Sequence, residues 1–403
     1  MPIRALSDQL INQIAAGEVV ERPAAVVKEL VENSLDAGAG RIEVELEQGG
    51  VSRVRVRDDG GGIPQDELAL ALERHATSKI ASLDDLETVA SLGFRGEALP
   101  SILSVSRLTL TSRTVDAAHG WSVSGAGTLD VSAPHPAAHP PGTTVDVCDL
   151  FYNTPARRKF LKSPSTEARH ADQWLRRLAL ARPRVALSLR HDQRRVLDLR
   201  AAHDHATMEI RIGEVCGEEF HANRIELDEE RLGLRLWGWF AQPAFSRPAP
   251  DLQYFFVNGR CVRDRLMAFA VRRALADAMH STRHPAFVLY LELDPRGVDV
   301  NVHPQKTEVR FRDASRVHDL LFGAVQQRLR AIRPDAQRHV ATFDTGAVVE
   351  TPSTANAPAM ASRASVGAVR AYGGARPVAW ASREPDLSRT SWGLLQSGAA
   401  PGD

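Results

Sequence analysis

Residues 28–39 read KELVENSLDAGA. Stepped at about 100° per residue, Val27, Leu30, Val31, Ser34 and Leu35 fall on one arc of a helix, and Glu29, Glu32, Asn33 and Asp36 fall on the other. A surface helix with a solvated acidic face would show the same split, because runs of charge are usually wet. A second carboxylate and a place for phosphates nearby in the chain would separate the two readings. The helix opens at Pro23, whose fixed φ and missing N–H suit a first turn. An earlier helix is expected from Gln9 to Ala16, capped by Ser7 and stopped by Gly17.

The second carboxylate follows directly. In RIEVELEQGGVSRVRVRDDGGG (41–62), Ile42, Val44 and Leu46 alternate, Gly49-Gly50 turns the chain, and Val54 and Val56 alternate again. This predicts a hairpin with one apolar face. Asp58 continues the phase of Val54 and Val56, so its carboxylate is expected on the buried face, where an unpaired charge is costly and invites a ligand donor. A helical pattern then runs from Asp66 to Lys79. GFRGEAL (93–99) offers the phosphate site: Gly93 and Gly96 let backbone approach closely, and a helix starting near Glu97 points free N–H groups at an anion. A Walker-type G-x-x-x-x-G-K-[ST] is absent from the sequence. Gly142-Thr143 precedes an apolar strand, a basic helical segment runs to about Arg182, and further strands reach about Leu199. The polar stretch at 200–207 marks a boundary. A second β/α segment extends to Arg333 with helices near 264–279 and 315–332. From Pro334 the composition turns to Ala, Ser, Thr, Gly and Pro without periodicity, predicting a disordered linker.

The chain has 403 residues, enough for two or three domains, with 50 Lys and Arg against 50 Asp and Glu. Attraction to nucleic acid must therefore come from local patches. Cys148, Cys216 and Cys261 stand far apart, which argues against a disulfide scaffold and suits a reducing cytoplasm. No apolar run reaches the roughly 18 residues of a membrane span, so no membrane association is expected.

In this order, the carboxylate–amide helix, the strand-end D-x-G-x-G, the glycine loop at a helix start and the Gly-Thr pair resemble the four motifs of the GHKL ATPases, the superfamily of gyrase B and the histidine kinases. IAAGEVVERPAAVVKELVENSLDAGA, RHATSKI, GFRGEAL, FYNTPARRKFLK and VNVHPQKTEVRF resemble, more narrowly, the MutL family of DNA mismatch repair. The resemblance covers about residues 1–333. It implies an α+β fold: a GHKL (Bergerat-type) ATPase sandwich of mixed sheet and helices over 1–203, a smaller α/β transducer with a ribosomal-protein-like βαβ fold over 204–333, and the linker over 334–403.

By the resemblance, the chain is a weak ATP hydrolase that uses ATP and Mg²⁺. Glu29 aligns or deprotonates the attacking water. Asn33, one turn on, offers a hard amide oxygen to the metal. Asp58, with Gly60 and Gly62, receives the adenine amino group, supported by Thr143. Thr77, Ser78 and Lys79 belong to a lid, and Gly93, Phe94, Arg95, Gly96, Glu97, Ala98 and Leu99 wrap the phosphates. Asn301 and Lys306 come from the second segment, and Lys306 reaches the γ-phosphate. Glu32 and Asp36 receive no chemistry and are expected in solvent. The resemblance further implies an ATP-dependent homodimer that clamps DNA and couples the mismatch sensor MutS to a downstream endonuclease and helicase. The family's C-terminal dimerisation domain and D-Q-H-A-x-x-E metal motif are not found in the sequence, so no endonuclease is assigned.

Residues 151–200 hold thirteen Lys and Arg against four Asp and Glu. Lys159, Arg176 and Arg177 there, with Arg260, Arg263 and Arg265 later, predict a surface for DNA without sequence specificity. Two rivals remain at this point: a gyrase-B-like topoisomerase subunit and a non-hydrolysing DNA scaffold. The first should carry a downstream D-x-D metal domain, and the second should have lost Glu29, Asn33 or Asp58.

Overall fold

The computed structural model describes residues 17, 19–74, 76, 97–127, 131–299 and 309–332. The expected first helix, the lid residues Thr77, Ser78 and Lys79, the loop Gly93, Phe94, Arg95 and Gly96, the pair Asn301 and Lys306, and the linker all lie outside them.

Helix α1 (Pro23–Asp36) begins with proline in its first turn, as expected, and buries Val26, Val27, Leu30 and Val31. It leads into the hairpin of β1 (Arg41–Glu47) and β2 (Arg53–Asp58), which pair antiparallel with Ile42 opposite Asp58. Ile42, Val44, Leu46, Val54 and Val56 are all buried, so the alternation in sequence is the alternation of one covered face. Then come α2 (Ala98–Ser104), β3 (Arg107–Arg113), β4 (Gly120–Ala126), β5 (His135–Ala137), β6 (Gly142–Cys148), α3 (Pro155–Arg158), α4 (Pro164–Ala181), β7 (Ala186–His191) and β8 (Arg194–Leu199). The strands form one sheet in the order β5-β4-β3-β6-β2-β1-β7-β8, in which only β1 and β7 run parallel. α1 and α4 pack together against it, joining Ala171, Leu175 and Ala179 to the valines of α1 in one core.

The remaining chain forms α5 (His205–Cys216), α6 (Glu218–Ala222), β9 (Arg224–Arg231), β10 (Leu234–Ala241), β11 (Gln253–Val257), β12 (Arg260–Val262), α7 (Arg265–Ala274), β13 (Phe287–Glu292), β14 (Val298–Asp299), β15 (Arg310–Phe311) and α8 (Ala314–Ile332). The second sheet runs β12-β11-β13-β10-β9, and its parallel pair β11 and β13 is joined through α7, a βαβ unit. Its faces have different partners. Leu236, Phe240, Phe255 and Leu289 lie in a core with Met267 and Val271 of α7 and Leu321 and Val325 of α8. Trp239, Phe256, Val288 and Tyr290 belong instead to the first core, beside Leu180 and Ile212. Tyr290 stacks between Trp237 (centroids 4.0 Å apart) and Phe256 (4.8 Å), and its hydroxyl donates to the Leu180 carbonyl at 3.0 Å. The two sheets are therefore bonded through α4 and α5. Arg211 of α5 is buried at the same junction and donates to the carbonyls of Ala179, Arg200 and Val185. Burial lowers its pKa to about 10.

The first helical pattern after the hairpin departs from expectation. The pattern starting at Asp66 is not an α-helix over its described part but two 3₁₀ turns, Gln65–Glu67 and Leu70–Leu72. Leu68 and Leu72 are buried and Leu70 is exposed, so the spacing reported which side faces the core and not the hydrogen bonding. The polar stretch at 200–207 is in part a helix start: Asp204 caps α5, accepting from the Thr207 N–H at 2.8 Å, and Thr207 returns a bond to the Asp204 N–H. Among the described residues no helix is long and apolar enough to cross a membrane.

Candidate functional site

The end of β2 meets the C-terminal half of α1, and Asp58 is the hub. It is only 8% exposed, and its carboxylate accepts three bonds: from Ser34 Oγ to Oδ2 at 2.7 Å, and from the Gly60 and Thr143 N–H groups to Oδ1 at 3.0 and 3.2 Å. A carboxylate offers about four lone-pair sites, so one acceptor position remains. Thr143 belongs to a second layer in which its hydroxyl lies 2.9 Å from Ser112 Oγ, and Ser112 accepts from the Ile63 N–H at 2.7 Å.

Two glycines make this proximity possible. Gly142 has φ +120, and a Cβ there would sit 2.1 Å from the Asp58 carbonyl oxygen. Gly62 has φ +76, and a Cβ would sit 2.2 Å from the Arg113 carbonyl oxygen. Neither position accepts an L side chain.

Along α1, Glu29 and Asn33 lie four residues apart on the half-buried face. Lys28 Nζ bonds Glu29 Oε1 at 2.9 Å and Glu32 Oε2 at 3.1 Å. Glu32 is not in solvent as expected: its side chain is 13% exposed, and burial raises its pKa, opposed by Lys28 and reinforced by Glu29. Burial pulls Lys28 down, but Glu32 and Glu29 outweigh it and the ammonium is held above its usual range. Asp36 is also half-buried.

Glu97 is the N-cap residue of α2, and Ala98 and Leu99 form its first turn with Pro100 behind them. The helix start lies where the glycine loop predicted it. Ser34, Lys28 and Ser112 were not picked out from sequence. Ser34 carried a signal, a hydroxyl on the apolar arc between Leu30 and Leu35, since a buried hydroxyl needs a partner.

The basic residues sort into two groups. Arg176 is occupied, holding Asp172 through Nε at 3.0 Å and the Val215 carbonyl at 3.1 Å. Arg177, half-buried on α4, faces Arg263 beyond β12, and burial followed by Arg263 lowers its pKa. Among the described residues no acid pairs with it. Lys159 follows α3 and Arg265 opens α7, both exposed. His205 Nε2 lies 2.8 Å from Glu226 Oε1, tying α5 to β9. No group of three or more His, Cys, Asp or Glu among the described residues is arranged to hold a metal.

Residues 21–126 match the family described as histidine kinase-, DNA gyrase B-, and HSP90-like ATPase, and residues 212–330 match the DNA mismatch repair protein, C-terminal domain. The chain is 60% identical over 333 residues to the DNA mismatch repair protein MutL of Pseudomonas putida (strain W619), covering 83% of this chain and 53% of that protein. It thus spans about half the length of the curated relatives it matches. Among solved structures, the Aquifex aeolicus MutL ATPase domain complexed with ADP is 31% identical, with a TM-score of 0.51, covering 69% of this chain and 94% of that one. The N terminal domain of a DNA repair protein superposes with a TM-score of 0.67 at 24% identity, covering 80% of this chain and 98% of that one, a likeness of fold alone.

Proposed function

Because the chain belongs to the MutL family of DNA mismatch repair proteins, we propose that it is an ATP-operated switch of mismatch repair whose nucleotide sits on Asp58. The observation that carries the proposal is the Asp58 carboxylate, buried and three-quarters satisfied by Ser34, Gly60 and Thr143, with one acceptor position left for an exocyclic amine. The ADP bound by the Aquifex aeolicus domain supports the same ligand here.

In this reading residues 1–203 form the ATPase domain, 204–333 a transducer and 334–403 a linker. Glu29 positions or deprotonates the attacking water through the acceptor positions that Lys28, bonded to Oε1, leaves on its carboxylate, while Glu32 shares the ammonium. Asn33 is the hard oxygen donor for Mg²⁺, which supplies neutralisation of charge on the transferred phosphoryl group when bound. Gly60 and Gly62 shape the base pocket, while Glu97, Ala98 and Leu99 begin the helix that faces the phosphates. Thr77, Ser78, Lys79, Gly93, Phe94, Arg95, Gly96, Asn301 and Lys306 complete the lid, the loop and the transducer's reach to the γ-phosphate. ATP closes the lid and pairs two such regions into a homodimeric clamp on DNA, bound without sequence specificity at Lys159, Arg177 and Arg265. Hydrolysis resets it. The partners are MutS and a downstream endonuclease and helicase, in the cytoplasm.

The test separates binding from chemistry. Glu29→Ala should bind ATP normally and lose turnover by about 10²-fold or more, whereas Asp58→Ala should lose nucleotide binding itself. Normal turnover in the first variant, or normal affinity in the second, would remove the role assigned to that residue.

A further inference from the structure

Beside Asp58 stands a second carboxylate with no assigned part in the site. We infer that Asp59 is the positioning residue that fixes Asp58 against α1 and thereby sets selection for a purine with a 6-amino group over one with a 6-oxo group; the inference rests on the nucleotide reading of the Asp58 pocket.

An exposed aspartate in a glycine turn ordinarily bonds its own backbone two residues on. Asp59 reaches elsewhere. Its Oδ1 accepts from the Gly40 N–H at 2.8 Å and the Arg41 N–H at 2.7 Å, and its own N–H donates to the Arg41 carbonyl at 3.3 Å. Two residues on, the Gly61 N–H donates to the Ala37 carbonyl at 3.0 Å. Gly60 packs so closely on Ala37 that a Cβ would lie 2.9 Å from that carbonyl oxygen. The short loop between α1 and β1, residues 37–40, is therefore fastened at both ends to the turn 59–61. That loop carries α1, and α1 carries Ser34 and Asn33. Asp59 thus locks the strand end that holds Asp58 to the helix whose Ser34 orients the Asp58 carboxylate at 2.7 Å.

The consequence for recognition is chemical. Adenine presents an amine donor where guanine presents a carbonyl oxygen, and a fixed acceptor rejects the carbonyl. A carboxylate free to shift can instead accept from the guanine ring N–H, so loss of the lock costs selectivity more than affinity. A side chain that serves only to stabilise the fold would not change the ratio of two nucleotide affinities.

The experiment titrates ATP and GTP into the whole chain with Mg²⁺ and follows exchange of the Gly40 and Arg41 amides without nucleotide. Asp59→Ala should lower the ATP-over-GTP affinity ratio by about tenfold and speed exchange at both amides. Asp59→Glu keeps the charge but displaces the acceptor by a methylene, and should do the same. Asp59→Asn keeps the acceptor in place and should keep the ratio within about threefold of wild type. An unchanged ratio in the Ala and Glu variants, in a wild-type background that prefers ATP, overturns the inference alone. A wild-type chain that binds neither nucleotide, or binds both equally, overturns the reading of the pocket and this inference with it.

Discussion

At the scale of single residues, what distinguishes the pocket is how little room it leaves. Gly38 and Gly142 both hold positive φ, +75 and +120, yet their surroundings differ: nothing lies within 4 Å of a Cβ placed at Gly38, whereas one at Gly142 meets the Asp58 backbone. Gly38→Ala should therefore cost only the left-handed backbone strain, about 1 kcal/mol in a urea titration. Gly142→Ala must move β6 away from Asp58, and should lose ATP affinity as well as stability. Equal losses in the two variants would show that the approach of β6 to Asp58 is not constrained at this point. Asp58 was legible in the sequence because phase along a strand is local information. Its partners were not, because Ser34 lies 24 residues away and Thr143 lies 85 away, and pattern along a chain does not say which distant N–H will arrive.

The same limit appears among the elements. α1 and the β1–β2 hairpin were readable because each buries one regular face. α5 was hidden because its buried side includes Arg211, which sequence reasoning assigns to solvent until three carbonyls from α4 and its following loops are seen around it. The turn pair at 65–72 went wrong in the other direction, since Leu68 and Leu72 fit a helical period without a helix. The signal for α5 lay in its cap. Asp204 is held below its ordinary value of 3.8, first by the Thr207 N–H and then by the Thr207 hydroxyl. A carboxylate depressed on folding contributes stability above its unfolded value and loses it as pH falls through the folded one. Asp204→Ala should lower Tm at neutral pH, and its gap from wild type should close below about pH 4. A gap independent of pH would mean that the charge of Asp204 is not what caps the helix.

Across the whole molecule, the junction of the two sheets also builds the proposed DNA surface. α4 belongs to the first core and lies against β12 of the second sheet, so Arg177 and Arg263, 86 positions apart in the sequence, face each other. A half-buried Arg177 beside the exposed Arg263, with no acid paired to it among the described residues, forms an arrangement that costs the free protein and favours a polyanion. The basic run was visible in sequence, but its closure with the later arginines needed the tertiary packing of α4. Arg177→Glu should then move two measurements in opposite directions. DNA affinity should fall for every sequence with a shallower salt dependence, because a phosphate contact is lost. Thermal stability in the absence of DNA should hold or rise, because Arg263 gains an opposite charge in place of a like one. Arg176→Ala is the contrasting variant, since Arg176 is bound to Asp172 and the Val215 carbonyl. It should lower stability and leave the salt dependence of DNA binding unchanged. If Arg177→Glu lowered stability as Arg176→Ala does and left DNA binding intact, the paired arginines would belong to the junction between the sheets and not to a nucleic-acid surface.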